Sequence, residues 1–225
     1  FIGKYLFNGW ADGLIAIYFC LSVFLMYLLI IDNNKFNKNK LYNLIAFCFF
    51  VSLTLIKNEG LALLTILFLV TLFIKLYKRE LKEDYKQIIY LSLSILPIIL
   101  WKYFCYTKGI GNDYINSNFV DNLLLRYKEF DNYKLIGYFL LLNEKFLISF
   151  IFFSLAFIIK KNKELFIYIL IIVILYVLVL SIIFLSTPVD FYFQLNSAAA
   201  RVVKTLSFLM AFFGLFNLSN IKLSN

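Results

Sequence analysis

The sequence predicts an all-α, polytopic transmembrane helical bundle, and three observations carry that prediction. Hydrophobic residues make up 63% of the chain and charged residues only 16%, where soluble domains hold about 45–50% and about 25%. The mean hydropathy is +0.85. The apolar residues also fall into blocks near the roughly 17–25 residues that carry a helix across a bilayer, separated by short Lys- and Asn-rich stretches. No stretch alternates with period two over several strands, which argues against a membrane barrel.

About seven spans follow in order. The first runs from Ala11 to Ile31, the second from Leu41 to Ile56, and the third from Gly60 to Tyr77. The fourth covers Ile88 to Tyr106, the fifth Lys145 to Ile159, the sixth Leu165 to Leu185, and the seventh Val202 to Leu218. The second and fifth are short, so their ends extend into neighbouring loops or sit at the interface. Residues 1–225 read as a single transmembrane domain, with 102–145 as one long extracytoplasmic loop. The chain opens on Phe1 without the pattern of a signal peptide, and it reads as the C-terminal part of a longer protein.

The net charge of +9 belongs to the loops. Lys35, Lys38 and Lys40 lie in one loop, Lys75, Lys78, Arg79, Lys82 and Lys86 in a second, and Lys160, Lys161 and Lys163 in a third. All three fall on one side of a seven-span topology, the side that the positive-inside bias makes cytoplasmic. No basic stripe with interleaved aromatics lies outside the apolar blocks, so nucleic acid is excluded as a partner. The expected setting is the lipid bilayer of a bacterial inner membrane, crossed several times.

The chain has no histidine, which removes imidazole-ligated metals and His-based triads. Cys20, Cys48 and Cys105 are scattered without metal-ligand spacing. No cofactor is evident; a divalent cation here would need carboxylate ligands, which suit Mg, Ca or Mn. In the long outer loop, Lys108 to Tyr114 is turn-rich. Phe119 to Phe139 mixes apolar and aromatic residues with charges, as an amphipathic helix on the membrane surface would, or as an ordinary loop packed on the helix ends.

An ionisable group inside or beside an apolar span costs at least a few kcal/mol unless it is paired or wetted. Four places carry such groups, all on the outer side of this topology. Asp12, in Asn8-Gly-Trp-Ala-Asp12-Gly, heads the first span, where the helix dipole favours a carboxylate; it serves as a simple cap or as part of a site. Lys57 and Glu59 form a charged turn between two short blocks, either a wetted hairpin tip or a recessed pair meeting a phosphate and a sugar hydroxyl. Asp190 and Gln194 follow Pro188, as solvated loop residues or as polyol ligands. Ser197 and Arg201 open the last span one turn apart on one face, with Asn196 or Ser197 as its N-cap. Arg201 either snorkels to the interface or offers its planar fork to phosphate.

Three stretches together resemble the membrane-embedded GT-C glycosyltransferases, including the dolichyl-phosphate-mannose–protein mannosyltransferases. Gly9-Trp-Ala-Asp12 is similar to the G-Y-A-D/E opening of a helix in that superfamily. Leu53-Thr-Leu-Ile-Lys57-Asn-Glu59-Gly60 resembles its L-T-K-x-E-G turn, and Gln194-Leu-Asn-Ser197-Ala-Ala-Ala-Arg201 its H-L-x-x-S-x-x-R motif, with Gln194 in place of the histidine. The resemblance implies glycosyl transfer from a polyprenyl-phosphate sugar donor to a glycan, lipid or protein acceptor. It implies that Lys57 and Arg201 face the lipid-linked phosphate, and that Asp12 and Glu59 line the sugar or acceptor pocket. The acidic catalytic loop of the superfamily would lie upstream of Phe1, so no residue here is matched to the catalytic base. The rival class is a multi-span transporter or flippase of lipid-linked saccharides, or a membrane subunit without chemistry; neither an internal repeat nor many Pro-broken spans favours transport.

Overall fold

A computed structural model describes residues 11–31, 40–110, 119–160 and 162–219. The described residues are helical, without strands, and divide into two compact units, Phe1–Ile110 and Gly111–Asn225. Five helices are long and apolar enough to cross a membrane, or six if a bent pair counts as one span. The chain is therefore an integral membrane protein in which five or six candidate spans stand where about seven were expected. Of the expected spans, Lys40–Ile56 is an apolar helix of only 17 residues, about 26 Å long at the usual rise, and Lys145–Ile159 counts only as part of the bent pair Phe130–Leu141 and Glu144–Ile159.

The first unit begins with α1, Asp12–Met26, which continues through a π-helical turn, Tyr27–Ile31. Asp12 is the first residue of this helix. Helix α2, Lys40–Ile56, and α3, Asn58–Tyr77, are joined by Lys57 alone, whose backbone is extended. Such a tight reversal needs a close backbone approach, and Gly60 supplies it. A Cβ there would sit 1.8 Å from the Leu53 carbonyl oxygen, a position no side chain can share. Phe19, Val23 and Met26 of α1, Phe50 and Leu53 of α2, and Leu63, Leu64 and Leu67 of α3 make the core of this unit.

After α3 the chain turns at Arg79, which takes a left-handed conformation at φ 60°. Helix α4, Leu81–Ser92, passes through a 3₁₀ turn, Leu93–Ile95, into α5, Leu96–Thr107. Pro97 stands in the first turn of α5, where its missing N–H costs nothing, so α4 and α5 break there without ending the span. The composite span is Asp84–Thr107, one turn longer at its start than predicted. Gly109 (φ 65°) closes α5: its N–H donates to the Tyr106 carbonyl and that of Ile110 to the Cys105 carbonyl, the pairing of a Schellman cap. The outward face of this span, including Ile99, Leu100, Trp101 and Tyr103, is exposed, as a lipid-facing surface would be.

In the second unit, α6 (Phe119–Tyr127) and α7 (Phe130–Leu141) are helical within the long segment where either a surface helix or a packed loop was expected. Helix α7 meets α8, Glu144–Lys160, at a bend of 65°. Helix α9, Lys163–Ser186, is the longest uninterrupted one, capped by Asn162, whose Oδ1 accepts from the Leu165 N–H at 3.2 Å. The last span runs Phe191–Ser219: α10, Phe191–Gln194, a π-helical turn, Leu195–Ala199, and α11, Ala200–Ser219. Helices α8 and α11 pack closely because Gly214 lies against the Phe152 ring and Asn217 donates to the Ala156 carbonyl at 2.9 Å, a small residue and a polar bridge of the kind that joins helices in lipid.

Two expectations about this unit are corrected. The polar loop Ser186–Arg201 is mostly helix: only residues 187–190 are not helical. The N-cap is Asp190, whose Oδ1 accepts from the Phe193 N–H at 2.8 Å, so Asn196 and Ser197 lie within the helix rather than capping it. Phe119–Tyr127 packs on a helix end through Arg126, whose guanidinium donates to the carbonyls of Thr187 (2.9 Å), Val189 (3.3 Å) and Leu185 (3.5 Å). A cation at the C-terminal end of α9 is where the helix dipole favours it. Residues 1–10, 32–39, 111–118, 161 and 220–225 lie outside the described residues, and with them Gly9, Trp10, Lys35, Lys38 and Lys161.

Candidate functional site

The first unit brings two of the four sequence-selected places together. Lys57 donates through Nζ to Asp12 Oδ1 at 2.8 Å and lies 3.0 Å from Glu59 Oε1. The side chain of Asp12 is 8% exposed, against 32% for Lys57 and 27% for Glu59. One carboxylate is therefore sealed while the ammonium and the second carboxylate stay within reach of a ligand.

Local structure explains how these charges are tolerated. Asp12 stands at the N-terminus of α1 and Glu59 in the first turn of α3, so each carboxylate sits at the positive end of a helix dipole. Lys57 is the lone linking residue between α2 and α3, and the Gly60–Leu53 approach fixes where its side chain starts. Burial works against the charge on Lys57, but the Glu59 carboxylate and hydrogen bonds to Asp12 and Glu59 outweigh it and hold its pKa above the ordinary lysine value. Lys57 is a fixed cation at neutral pH.

A further lysine, not singled out by the sequence, stands beside this turn. Lys102 near the end of α5 donates to Asn58 Oδ1 at 3.2 Å. The ensemble of Asp12, Lys57, Glu59 and Lys102 carries two formal charges of each sign, with hydrogen-bond acceptors for hydroxyls and ammonium donors for phosphate oxygens.

The second unit holds Asp190, Gln194, Ser197 and Arg201 on one continuous helical segment. Asp190 is exposed and serves as the cap of α10. Arg201 donates through Nε to the Ser197 carbonyl at 2.9 Å, and the Ser197 hydroxyl donates to the Gln194 carbonyl at 3.3 Å. The three residues form a short relay along the π-helical turn, an irregularity often found at functional positions. The Gln194 Oε1 is buried with no hydrogen-bond partner among the described residues.

Sequence reading also missed a third cluster. Lys75, taken there as an orienting loop lysine, is buried near the end of α3, 2.8 Å from Asp84 Oδ2 and 3.1 Å from Glu80 Oε2. A lysine directly after the buried Ile74 in an apolar span was the available signal. Among the described residues no three His, Cys, Asp or Glu side chains converge as metal ligands. No family model matches the chain, and no curated protein or solved structure matches it either.

Proposed function

We propose that the chain belongs to a membrane glycosyltransferase that moves a sugar from a polyprenyl-phosphate carrier to an acceptor at the extracytoplasmic face, in cell-envelope glycan or glycolipid assembly. One observation carries this reading. Asp12 and Lys57, 45 residues apart and each in a stretch that resembles the GT-C glycosyltransferases, form a 2.8 Å ion pair with Glu59 beside it.

In the reaction, an acceptor hydroxyl oxygen forms a bond to the anomeric carbon as the bond to the carrier phosphate breaks, and the hydroxyl proton passes to a carboxylate base. That base is assigned to no residue of this chain. Asp12 and Glu59, held by Lys57, accept hydrogen bonds from sugar or acceptor hydroxyls. Lys57 spends two of its three N–H donors on these carboxylates, and the third is the one we assign to a phosphate oxygen. Arg201, in the second unit, carries the planar fork that suits a phosphate, the role its stretch's resemblance to the superfamily implies.

The test uses the protein at its natural full length, in membranes, with a radiolabelled polyprenyl-phosphate sugar. Transfer should fall by about a hundredfold in Lys57→Ala and in Arg201→Ala, with expression unchanged. Labelled lipid crossing the bilayer without transfer would sink this reading. It would promote transport instead.

A further inference from the structure

Helix α6 has its polarity reversed. Its inward side is polar: Asn122 and Arg126, one turn apart and half-buried, both donate to the Thr187 carbonyl, at 3.2 Å and 2.9 Å. Arg126 also reaches the Leu185 and Val189 carbonyls and lies 5.6 Å from the centre of the Phe191 ring. The outward side is apolar. Val120, Leu124, Leu125 and Tyr127 are each more than half exposed, and Asp121 is the single charge beside them. A helix on a water-facing surface shows the opposite pattern, with its apolar stripe turned to the core. The medium against this face is therefore apolar.

The polar side fixes where that face lies. Leu185, Thr187 and Val189 mark the C-terminal end of α9, a candidate span of 24 residues. At about 36 Å it exceeds the roughly 30 Å of bilayer hydrocarbon, so its end emerges into the headgroup layer, and α6 is bonded to that end. Ile182 and Ile183, near the end of α9, are exposed too, so the apolar surface of the span continues up to the level of α6. Tyr127 and the exposed Phe130 are rings of the kind enriched at membrane–water boundaries. The headgroup layer, unlike hydrocarbon, accommodates the Asp121 carboxylate. One face of a nine-residue helix falls far short of the about 800 Å² per partner of a stable protein interface, whereas a bilayer already surrounds the span that holds it.

We infer that α6 lies in the membrane interface, with Val120, Leu124, Leu125 and Tyr127 set into lipid and Asn122 and Arg126 turned to the protein. It thereby moors the break between α9 and the last span at the bilayer surface. The inference rests on the membrane embedding of the chain and not on glycosyl transfer.

Tryptophan fluorescence of the chain in phosphatidylcholine nanodiscs tests it. Trp10→Phe and Trp101→Phe remove both native tryptophans, and Leu124→Trp places the probe. An interfacial helix sets its apolar face about 5–10 Å into the headgroup–acyl boundary. Bromine high on the acyl chain should therefore quench the probe more than bromine near the methyl end, and aqueous iodide should quench it little. Leu125→Trp, on the same exposed face, should behave alike, and it decides alone if Leu124→Trp fails to fold. Quenching by iodide without quenching by lipid would put the face in water and overturn the inference. Protection from both quenchers would overturn it in favour of a protein cover, such as a second copy of the chain. Stronger quenching from the methyl end would overturn it by placing the helix deep in the hydrocarbon.

Discussion

Two lysines bracket α3, and each holds two carboxylates, yet they do different things. At the start of the helix Lys57 pairs with Asp12 and Glu59 and keeps 32% of its side chain exposed. Near the end Lys75 pairs with Glu80 and Asp84 and has none exposed, while Asp84 keeps 5%. The 20 residues of α3 measure about 30 Å, near the hydrocarbon thickness of a bilayer. The pairing chemistry is the same at both ends, and access separates them. The sealed pair closes a local turn, with both carboxylates supplied within the next few residues of the chain. The open pair reaches across to a different helix, and its ammonium can still meet a ligand.

That contrast can be broken from either end, and the sealed end should give the largest effect. Lys75→Met strands buried Asp84 beside Glu80 and should cost about 3–5 kcal/mol, because removing one partner leaves an uncompensated buried charge. Melting in detergent would register the loss, and a second substitution, Asp84→Leu, should recover most of it. If Lys75→Met melts like wild type, the cluster is not sealed.

Gly60→Ala comes next. Its Cβ has no place beside the Leu53 carbonyl, so the α2–α3 hairpin must open, at least at the roughly 1–3 kcal/mol of ordinary overpacking. A disulfide-trapping pair at positions 12 and 57 would report the separation of Asp12 from Lys57 in that background, and efficient trapping there would contradict the account given of Gly60.

Lys57→Met leaves the sealed Asp12 carboxylate without its cation and should cost about 1–3 kcal/mol, while transfer activity collapses. The cost is less than that of Lys75→Met because Lys57 is partly exposed and the dipole of α1 still favours the Asp12 charge. The two lysines would thus divide stability from activity. A Lys57→Met protein that keeps its activity while losing as much stability as Lys75→Met would reverse that division.

The smallest effect concerns pH. The folded pKa of Lys57 is raised, so its stabilising contribution is complete below the ordinary lysine value near 10.4 and fades only as pH climbs through the higher folded value. The melting difference between wild type and Lys57→Met should therefore stay flat from about pH 6 to pH 9. A slope in that window would assign the titration to another group.

Much of the fold was legible as apolar length. The sixth span, predicted as Leu165 to Leu185, is the helix Lys163–Ser186, because an uninterrupted apolar run has no other way to satisfy its backbone in lipid. Ends were less legible. The last span begins at Phe191 rather than Val202, because Asp190 caps it and a π-helical turn carries it through Asn196 and Ser197, residues that read as loop by composition alone. Arg126 looked like one charge among several in an outer loop, and only folding brings the carbonyls of Leu185, Thr187 and Val189 to it.

Composition and block length by themselves determined that this chain is helical and membrane-embedded, because the cost of exposing a backbone to hydrocarbon is paid residue by residue along the sequence. They also marked Asp12, Lys57 and Glu59 as charges needing an explanation. Which charge answers which was decided only by tertiary structure. The Asp12–Lys57 pair spans 45 residues, and Lys75 is buried because α4 folds back to bring Asp84 against it. Pairing is a property of helix packing, and helix packing rests on contacts such as Gly60 on Leu53 that have no signature in local hydropathy.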